Sequence, residues 1–239
     1  MISFVIPTLN EEKTLERTLR NVAEYRGGKE LIVSDGNSSD ATRDISLRYT
    51  DQVVVHDLPE RQTIGMARNM GAALARGEYL VFLDADVVIP DIDTFFDMAL
   101  DRFRRSPKLL ALTGKYRVLP ETRTWFDTLV FRMLGLQFQF QNNVLGIGGA
   151  GGEFQMIRAT AFRDVGGFDE QLAAAEDMDL FRRLSRIGLT RFDGRLTVYH
   201  TGRRAHAIGW PRLIFQWFTN SMSVLILRRS ASSEWKVVR

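Results

Sequence analysis

The first 90 residues contain four short apolar runs, and the stretches between them carry apolar residues at helical spacing. The runs lie within residues 2–7, 30–34, 52–56 and 77–86. Short apolar runs are typical of strands buried on both faces of a sheet, and strands that alternate with helices predict a mainly parallel sheet covered by helices. We therefore expect an α/β fold. The pattern changes after residue 109, which indicates a smaller portion with an antiparallel strand near residues 110–118.

The fourth run ends in two aspartates, Asp84 and Asp86, one residue apart. Side chains alternate faces along a strand, so both carboxylates are expected to point the same way just past the strand end. Adjacent carboxylates repel each other, and Mg²⁺ or Mn²⁺ relieves that repulsion while also binding substrate phosphates. The pattern predicts a metal–diphosphate site. A polar turn is the alternative that an isolated Asp-x-Asp leaves open.

Polar residues also follow the other predicted strands. Thr8 and Asn10 follow the first strand, where either could cap the next helix, and Asp35 follows the second. Ligands of parallel sheets bind outside the carboxyl ends of the strands, so these residues are expected to face one cleft. As a carboxylate, Asp35 can only accept hydrogen bonds, and the forked guanidinium of Arg68 suits a phosphate. A turn residue and a solvated helix residue are the alternative roles.

Composition narrows the class of protein. The absence of cysteine excludes disulfides, thiolate metal sites and a cysteine nucleophile, and it fits a reducing compartment. Residues 195–239 carry eight Lys and Arg against one acid, so they hold +7 and the rest of the chain −4. A basic tail suits anionic phosphates or an anionic membrane surface, whereas nucleic acid is not expected without a recognised module. We expect neither a signal peptide nor a membrane span, because no apolar run is suitable.

Six segments occur in order along the chain: VIPTLNEE at 5–12, VSDGNSSD at 33–40, ARNMG at 67–71, LDAD at 83–86, VGGFDE at 165–170 and EDMDL at 176–180. Together they resemble the motifs of glycosyltransferase family 2 enzymes with the GT-A fold. The resemblance covers about residues 1–200. It implies a GT-A (Rossmann-like) domain with a nucleotide-sugar half at 1–110 and an acceptor half at 111–200. Residues 201–239 would form a basic, amphipathic C-terminal segment.

The same resemblance implies roles for individual residues. The nucleotide-sugar site would be formed by Pro7, Thr8, Asn10, Glu11, Asp35, Arg68, Asp84, Ala85, Asp86, Arg203 and Arg204. Asp35 would bind the base, Asp84 would approach the ribose, and Asp86 would hold the Mg²⁺ or Mn²⁺ cofactor. Asp84 and His200 are the other candidate metal ligands, and Arg203 or Arg204 would neutralise the leaving group.

Asp177 is implied as the catalytic base, with Glu176 as its neighbour. Acids in a first helical turn ordinarily complement the helix dipole, which is the alternative role. Neighbouring acids would raise the pKa of Asp177 and the helix N-terminus would lower it, so the balance stays open. His200 has a structural alternative, and it could also donate to the diphosphate instead of binding metal.

Two apolar stretches and a glycine-rich segment complete the pattern. A helical stripe is formed by Trp125, Phe126, Leu129, Val130, Met133 and Leu134. It fits core packing, or a face for a lipid-linked acceptor or membrane interface. Residues 210–227, bracketed by Arg212 and by Arg228 and Arg229, suit a helix lying in a membrane interface, although core packing or a homodimer contact fits equally. Glycines at 146–152 would admit a sugar closely or move as a lid.

We therefore predict a metal-dependent, inverting glycosyltransferase that moves a sugar from a nucleoside-diphosphate sugar to an acceptor hydroxyl. The acceptor would be a lipid-linked or cell-surface glycan precursor, and the protein would be cytoplasmic, peripherally on the inner face of the membrane. One alternative is a nucleotidyltransferase that makes nucleotide sugars, but residues 7–12 are acidic and lack the expected glycine-rich, basic loop. The other is a non-catalytic nucleotide-sugar-binding or membrane-scaffold protein.

Overall fold

The computed structural model describes residues 1–59 and 61–232. Within these residues the strands are β1 (Ile2–Thr8), β2 (Lys29–Asp35), β3 (Val53–Val55), β4 (Tyr79–Leu83), β5 (Leu109–Val118), β6 (Phe154–Arg158) and β7 (Leu189–His200). The helices are α1 (Leu15–Glu24), α2 (Thr42–Leu47), α3 (Ile64–Leu74), α4 (Ile92–Arg105), α5 (Trp125–Gln139), α6 (Ala159–Asp164), α7 (Glu176–Ser185), α8 (Arg203–Ile208) and α9 (Trp210–Leu227). A π-helical turn, Phe140–Leu145, continues α5. The end of the predicted basic segment, residues 233–239, lies outside the described residues.

The strands form one sheet in the order β3-β2-β1-β4-β6-β5-β7. Strands β1 to β4 are parallel, and β5 is parallel to β7. The predicted α/β architecture with a mainly parallel sheet is confirmed. The expectation for residues 110–118 was wrong in one respect: β6 is the antiparallel strand, paired with both β4 and β5, so β5 runs in the same direction as β4.

Both faces of the sheet are covered, which explains the continuous apolar runs. Along β1, Phe4 and Ile6 belong to one core cluster and Val5 to the other, as strand alternation requires. Leu15 and Leu19 of α1 pack on the first face. Five strands, β1, β2, β4, β5 and β6, contribute side chains to both clusters, so the carboxyl edge is where polar residues can gather.

Helix α1 begins later than expected. Its N-cap is Thr14, which makes no side-chain capping bond, and a turn separates it from β1. Thr8 and Asn10 therefore do not cap a helix. They bond instead to the residues that follow β2, which draws the ends of the first two strands together.

The predicted aromatic stripe of α5 is only partly buried. Val130 lies in the core and Phe126 and Leu134 pack against it, whereas Trp125, Leu129 and Met133 are exposed. The periodicity therefore located the helix correctly, but it did not separate the face that packs on the core from the face that is exposed to solvent. No helix within residues 1–59 and 61–232 is long and apolar enough to cross a membrane.

Candidate functional site

Asp35 is held by a network that joins the ends of β1 and β2. Its Oδ1 accepts hydrogen bonds from Thr8 Oγ1 at 3.0 Å and Ser38 Oγ at 2.5 Å, and its Oδ2 accepts from the Ser38 N–H at 2.8 Å. Asn10 has a left-handed backbone conformation, and its Oδ1 accepts a hydrogen bond from the Ser39 N–H at 2.8 Å, which joins the segments that follow β1 and β2. A carboxylate has about four acceptor positions, so Asp35 retains one for a ligand N–H.

Arg68 of α3 is buried and is held by two carboxylates rather than lying on a solvated helix face. Its Nη1 is 2.7 Å from Glu176 Oε1, and its Nη2 is 3.0 Å from Asp84 Oδ1. Its guanidinium also lies over the ring of Phe168, 5.2 Å from the centroid. Burial opposes its charge, but the carboxylates of Asp84 and Glu176 outweigh burial and raise its pKa. Arg68 therefore links the end of β4 to the start of α7. Both terminal nitrogens of its guanidinium already bind protein carboxylates.

Asp84 and Asp86 follow β4 as expected, and Ala85 between them is buried in the core. Asp84 keeps 34% of its side chain exposed, whereas Asp86 is nearly buried. Asp86 Oδ2 accepts hydrogen bonds from the hydroxyl and the N–H of Thr201, and Arg203 Nε lies 3.7 Å from it. The two carboxylates thus lie together at the end of β4, but they have separate protein partners.

Arg203 ties the C-terminal part of the chain to this region. Its Nη1 and Nη2 form a two-point ion pair with Glu11, at 2.5 and 2.7 Å. Burial opposes its charge, but its hydrogen bond to Glu11 raises the pKa of Arg203. The adjacent Arg204 has its pKa lowered to about 10 by burial and by the charge of Arg203. Residues after 200 therefore form part of the site itself.

His200, at the end of β7, is buried with its ring edge-on to Phe131, and the ring centroids are 4.8 Å apart. The Gly202 N–H donates to Nδ1 at 3.2 Å, while Nε2 has no hydrogen-bond partner in the described structure. Burial lowers its pKa, although the charges of Asp86 and Asp84 oppose that shift. A neutral ring that accepts at Nδ1 carries its proton on Nε2, so His200 is arranged as a donor.

This arrangement does not support the predicted three-ligand metal set. Across residues 1–59 and 61–232, no three His, Asp or Glu side chains form a group that could hold a metal ion. Asp84 and Asp86 still fit Mg²⁺, which is commonly held by one or two protein carboxylates together with waters and phosphates.

Glu176 and Asp177 open α7 directly after Ala175, which has a left-handed backbone at φ 65°. Glu176 is buried and paired with Arg68. Asp177 Oδ1 accepts from the Met178 N–H at 2.7 Å. Burial, followed by the charge of Glu176, raises the pKa of Asp177 well above its usual range, although Arg68 opposes the shift. Arg68 pairs directly with Glu176, so Glu176 is the member of this coupled pair that is stabilised as a carboxylate, and the raised pKa of Asp177 makes it the stronger base when it is ionised.

Glu153 is a site residue that the sequence reasoning missed. It follows the glycine-rich segment immediately before β6, and burial and the charge of Asp84 raise its pKa to about 8. A Cβ at the adjacent Gly152 would lie 2.6 Å from Arg68 Nη2, so a side chain there would displace the Arg68 guanidinium. A charged residue next to a run of glycines was the available signal. At least this part of the glycine-rich segment serves close packing at the site.

Together these residues make a strongly acidic corner. Six carboxyl groups meet two guanidinium groups: Glu11, Asp84, Asp86, Glu153, Glu176 and Asp177 face Arg68 and Arg203. The structure brings these residues, all of them predicted except Glu153, to one edge of the sheet, where Pro7 and Thr8 end β1 and Asp35 ends β2. An excess of carboxylates suits a cation, and the raised pKa of the Asp177 carboxyl suits proton transfer.

Comparison with known proteins gives a family and a fold. A sequence model of glycosyl transferase family 2 matches residues 3–166. A poly-β-1,6-N-acetyl-D-glucosamine synthase of Staphylococcus epidermidis is 30% identical over 192 residues, which cover 75% of this chain and 46% of that protein. The chain thus spans less than half the length of the curated relatives it matches.

Two solved structures show the same fold. The mannosyltransferase PcManGT from Pyrobaculum calidifontis, in complex with GDP-Man and Mn²⁺, has a TM-score of 0.74 at 18% identity, covering 95% of this chain and 64% of that one. S. aureus TarS 1–349 in complex with UDP-GlcNAc has a TM-score of 0.67 at 19% identity, covering 97% and 68%. The predicted GT-A fold is confirmed by these similarities.

Proposed function

The chain belongs to glycosyl transferase family 2, and we propose that it transfers a sugar from a nucleoside-diphosphate sugar to an acceptor hydroxyl with inversion at the anomeric carbon. The observation that carries the proposal is the placement of Asp177. Its carboxyl has a raised pKa and lies beside the Arg68 link between Asp84 and Glu176. A carboxyl with a raised pKa therefore lies next to the residues that would hold the donor.

On the donor side, Asp35 would accept an N–H of the nucleotide base at its remaining acceptor position. His200 Nε2–H and Arg203 would face the diphosphate and offset the charge that grows as it departs. Asp84 and Asp86 would hold the divalent cation. When bound, Mg²⁺ or Mn²⁺ would supply Lewis-acid stabilisation of the leaving nucleoside diphosphate.

On the acceptor side, Asp177 would act in its ionised form and remove the proton from the attacking hydroxyl. The new bond forms between that oxygen and the anomeric carbon as the bond from that carbon to the diphosphate breaks. Attack from the face opposite the leaving group inverts the configuration. General-base assistance of this kind contributes roughly 10²–10⁴-fold in rate.

The identity of donor and acceptor is a finer part of the proposal. The S. epidermidis relative is a synthase of an N-acetylglucosamine polymer, and the TarS structure contains UDP-GlcNAc, which favours a uridine donor. The PcManGT structure contains GDP-Man, which makes guanosine the second choice. We place the acceptor among lipid-linked or cell-surface glycan precursors, used by a cytoplasmic protein at the inner face of the membrane.

A nucleotide panel followed by product analysis tests the proposal. UDP and GDP, each with and without Mn²⁺, are compared by thermal shift, since a ligand that binds only the folded chain raises the melting temperature. The sugar nucleotide of the preferred base is then incubated with acceptors that include N-acetylglucosamine oligosaccharides. Release of nucleoside diphosphate with elongation of the acceptor is the expected result. Pyrophosphate release would indicate a nucleotidyltransferase, and stabilisation without turnover of any acceptor would indicate a binding protein.

A further inference from the structure

Helix α9 has two apolar faces, and only one of them packs on the protein. The buried face is formed by Trp210, Leu213, Asn220 and Val224, with Trp217 partly buried between them. The other face carries Ile214, Phe215, Phe218, Met222, Leu225 and Ile226, whose exposed fractions run from 37% to 68%. At 3.6 residues per turn these six fall on one continuous stripe, which we call the outer stripe of α9. It contributes nothing to holding α9 on the core.

Helix α5 has a similar exposed stripe. Trp125, Leu129, Met133 and Leu136 recur at i, i+4, i+8 and i+11, and Trp125 is 75% exposed. Contacts made by Trp210 of α9 fix the two helices to each other. Its Nε1 donates to Asp127 Oδ1 at 2.8 Å, and its ring lies 5.4 Å from that of Phe131. The exposed stripes are therefore carried by helices in fixed contact, and exposed apolar surface of this extent marks an interaction site.

The exposed charges carried by α5 and α9, and by the two residues that follow α9, have one sign. Residues 194–232 contain no acid, and the single acid of α5, Asp127, is fully buried. The exposed cations are Arg132 on α5, Arg212 in the first turn of α9, and Arg228 and Arg229 after its last turn. An apolar stripe bounded by arginines matches the boundary between acyl chains and anionic headgroups. A second copy of the chain would instead bring like charges together, since a two-fold contact places the same patch on both sides.

We propose that the outer stripe of α9 and the exposed stripe of α5 together form a docking surface for an anionic lipid bilayer, with α9 lying in the plane of the interface. Apolar side chains would enter the acyl boundary, and Arg212, Arg228 and Arg229 would bind lipid phosphates. The surface deepens the membrane contact included in the proposed function. It does not depend on transfer activity, which is assayed separately with a soluble acceptor.

Vesicle sedimentation of the full 239-residue chain tests the surface. The vesicles are pure phosphatidylcholine or phosphatidylcholine with about one-third phosphatidylglycerol, at low and high salt, since screening weakens headgroup attraction. The apolar variant is Phe215→Ser/Phe218→Ser/Ile226→Ser, and the charge variant is Arg228→Gln/Arg229→Gln. The matched control changes three exposed apolar residues elsewhere, Leu47→Ser/Leu58→Ser/Leu74→Ser.

We expect the wild-type chain and the control to bind anionic vesicles, and the apolar variant to bind at least about tenfold more weakly, as the loss of three buried apolar side chains implies. The charge variant should lose most of its preference for anionic vesicles. Melting curves equal to wild type show that the variants fold. Equal binding by the apolar variant, or no preference for anionic lipid, would overturn the proposal. A wild-type dimer that the apolar variant converts to monomer, measured by light scattering, would assign the surface to self-association instead.

Discussion

The ion pair between Arg68 and Glu176 makes a quantitative prediction about stability. Only 2% of the Arg68 side chain and 7% of the Glu176 side chain are exposed, and their charged atoms are 2.7 Å apart. Removing one partner of a buried pair leaves the other charge uncompensated, which costs about 3–5 kcal/mol. Asp84, with 34% of its side chain exposed, is partly solvated and should add little to that cost. Arg68→Met should therefore lower the free energy of unfolding by about 3–5 kcal/mol, or roughly 6–20 °C in Tm for a chain of this size.

Three comparisons test the cause of that loss. Adding Glu176→Gln to Arg68→Met removes the stranded charge and should recover at least half of the lost stability. Burial already raises the pKa of Glu176 in the wild-type chain, against the charge of Arg68. Loss of Arg68 in the single variant would raise that pKa further, so the deficit should grow as pH rises and shrink in acid. Arg105→Met is the matched control, because its pair with Asp101 is exposed and its loss costs less than about 1 kcal/mol.

Urea unfolding followed by circular dichroism gives each of these free energies, and the four chains of the double-mutant cycle give the coupling. An Arg68→Met variant destabilised no more than Arg105→Met would refute the buried-pair reasoning. So would a double variant as unstable as the single one, because the stranded carboxylate would then not be the cause.

Three further predictions concern stability. The pKa of Glu153 is raised to about 8 by burial and the charge of Asp84. It is neutral in the folded chain but ionised in the unfolded chain above about pH 4.3. Stability should therefore fall as pH rises between these values, and Glu153→Gln should flatten that fall in melting curves; an unchanged slope contradicts the assignment. Ala175→Gly removes a left-handed alanine and should stabilise by about 0.5–1 kcal/mol in urea unfolding, whereas Ala73→Gly, exposed within α3, should cost about 1 kcal/mol. Burial opposes the charge of Asp193, but hydrogen bonds from Arg195 and Arg102 lower its pKa to about 2. Its stabilisation, about 2 kcal/mol, is present above pH 4 and lost as pH falls towards 2, and acid titration of Asp193→Asn should lack that loss.

Much of the fold could be predicted because burial on both faces makes the strands continuous apolar runs. Ligands of parallel sheets bind at the carboxyl ends of the strands, so the strand assignments alone were enough to predict that Asp35, Asp84 and Asp86 lie at the same edge. The start of α1 was misplaced because Thr8 and Asn10, which resemble caps, bond across to the end of β2. A local pattern does not distinguish a cap from a bond to a distant loop.

The rest of the site depends on contacts between residues far apart in the sequence. The pair of Glu11 with Arg203 and the pair of Arg68 with Glu176 join residues 192 and 108 positions apart. Glu153 acquires its raised pKa only from the carboxyls that folding brings near it. Periodicity located α5 and α9, but which apolar face is covered depends on the neighbouring elements.

The most direct test of the central claim is to measure transfer and nucleotide binding on Asp177→Asn. The substitution removes the base while keeping the shape of the side chain, so kcat should fall by at least about 10²-fold. Calorimetry should show the Kd for the preferred nucleoside diphosphate within about threefold of wild type, a change of less than about 1 kcal/mol. Asp164→Asn, an exposed acid at the end of α6, should match wild type in both measurements. An Asp177→Asn chain that keeps near wild-type kcat, or that loses nucleotide binding together with transfer, would contradict the assignment of Asp177 as the base.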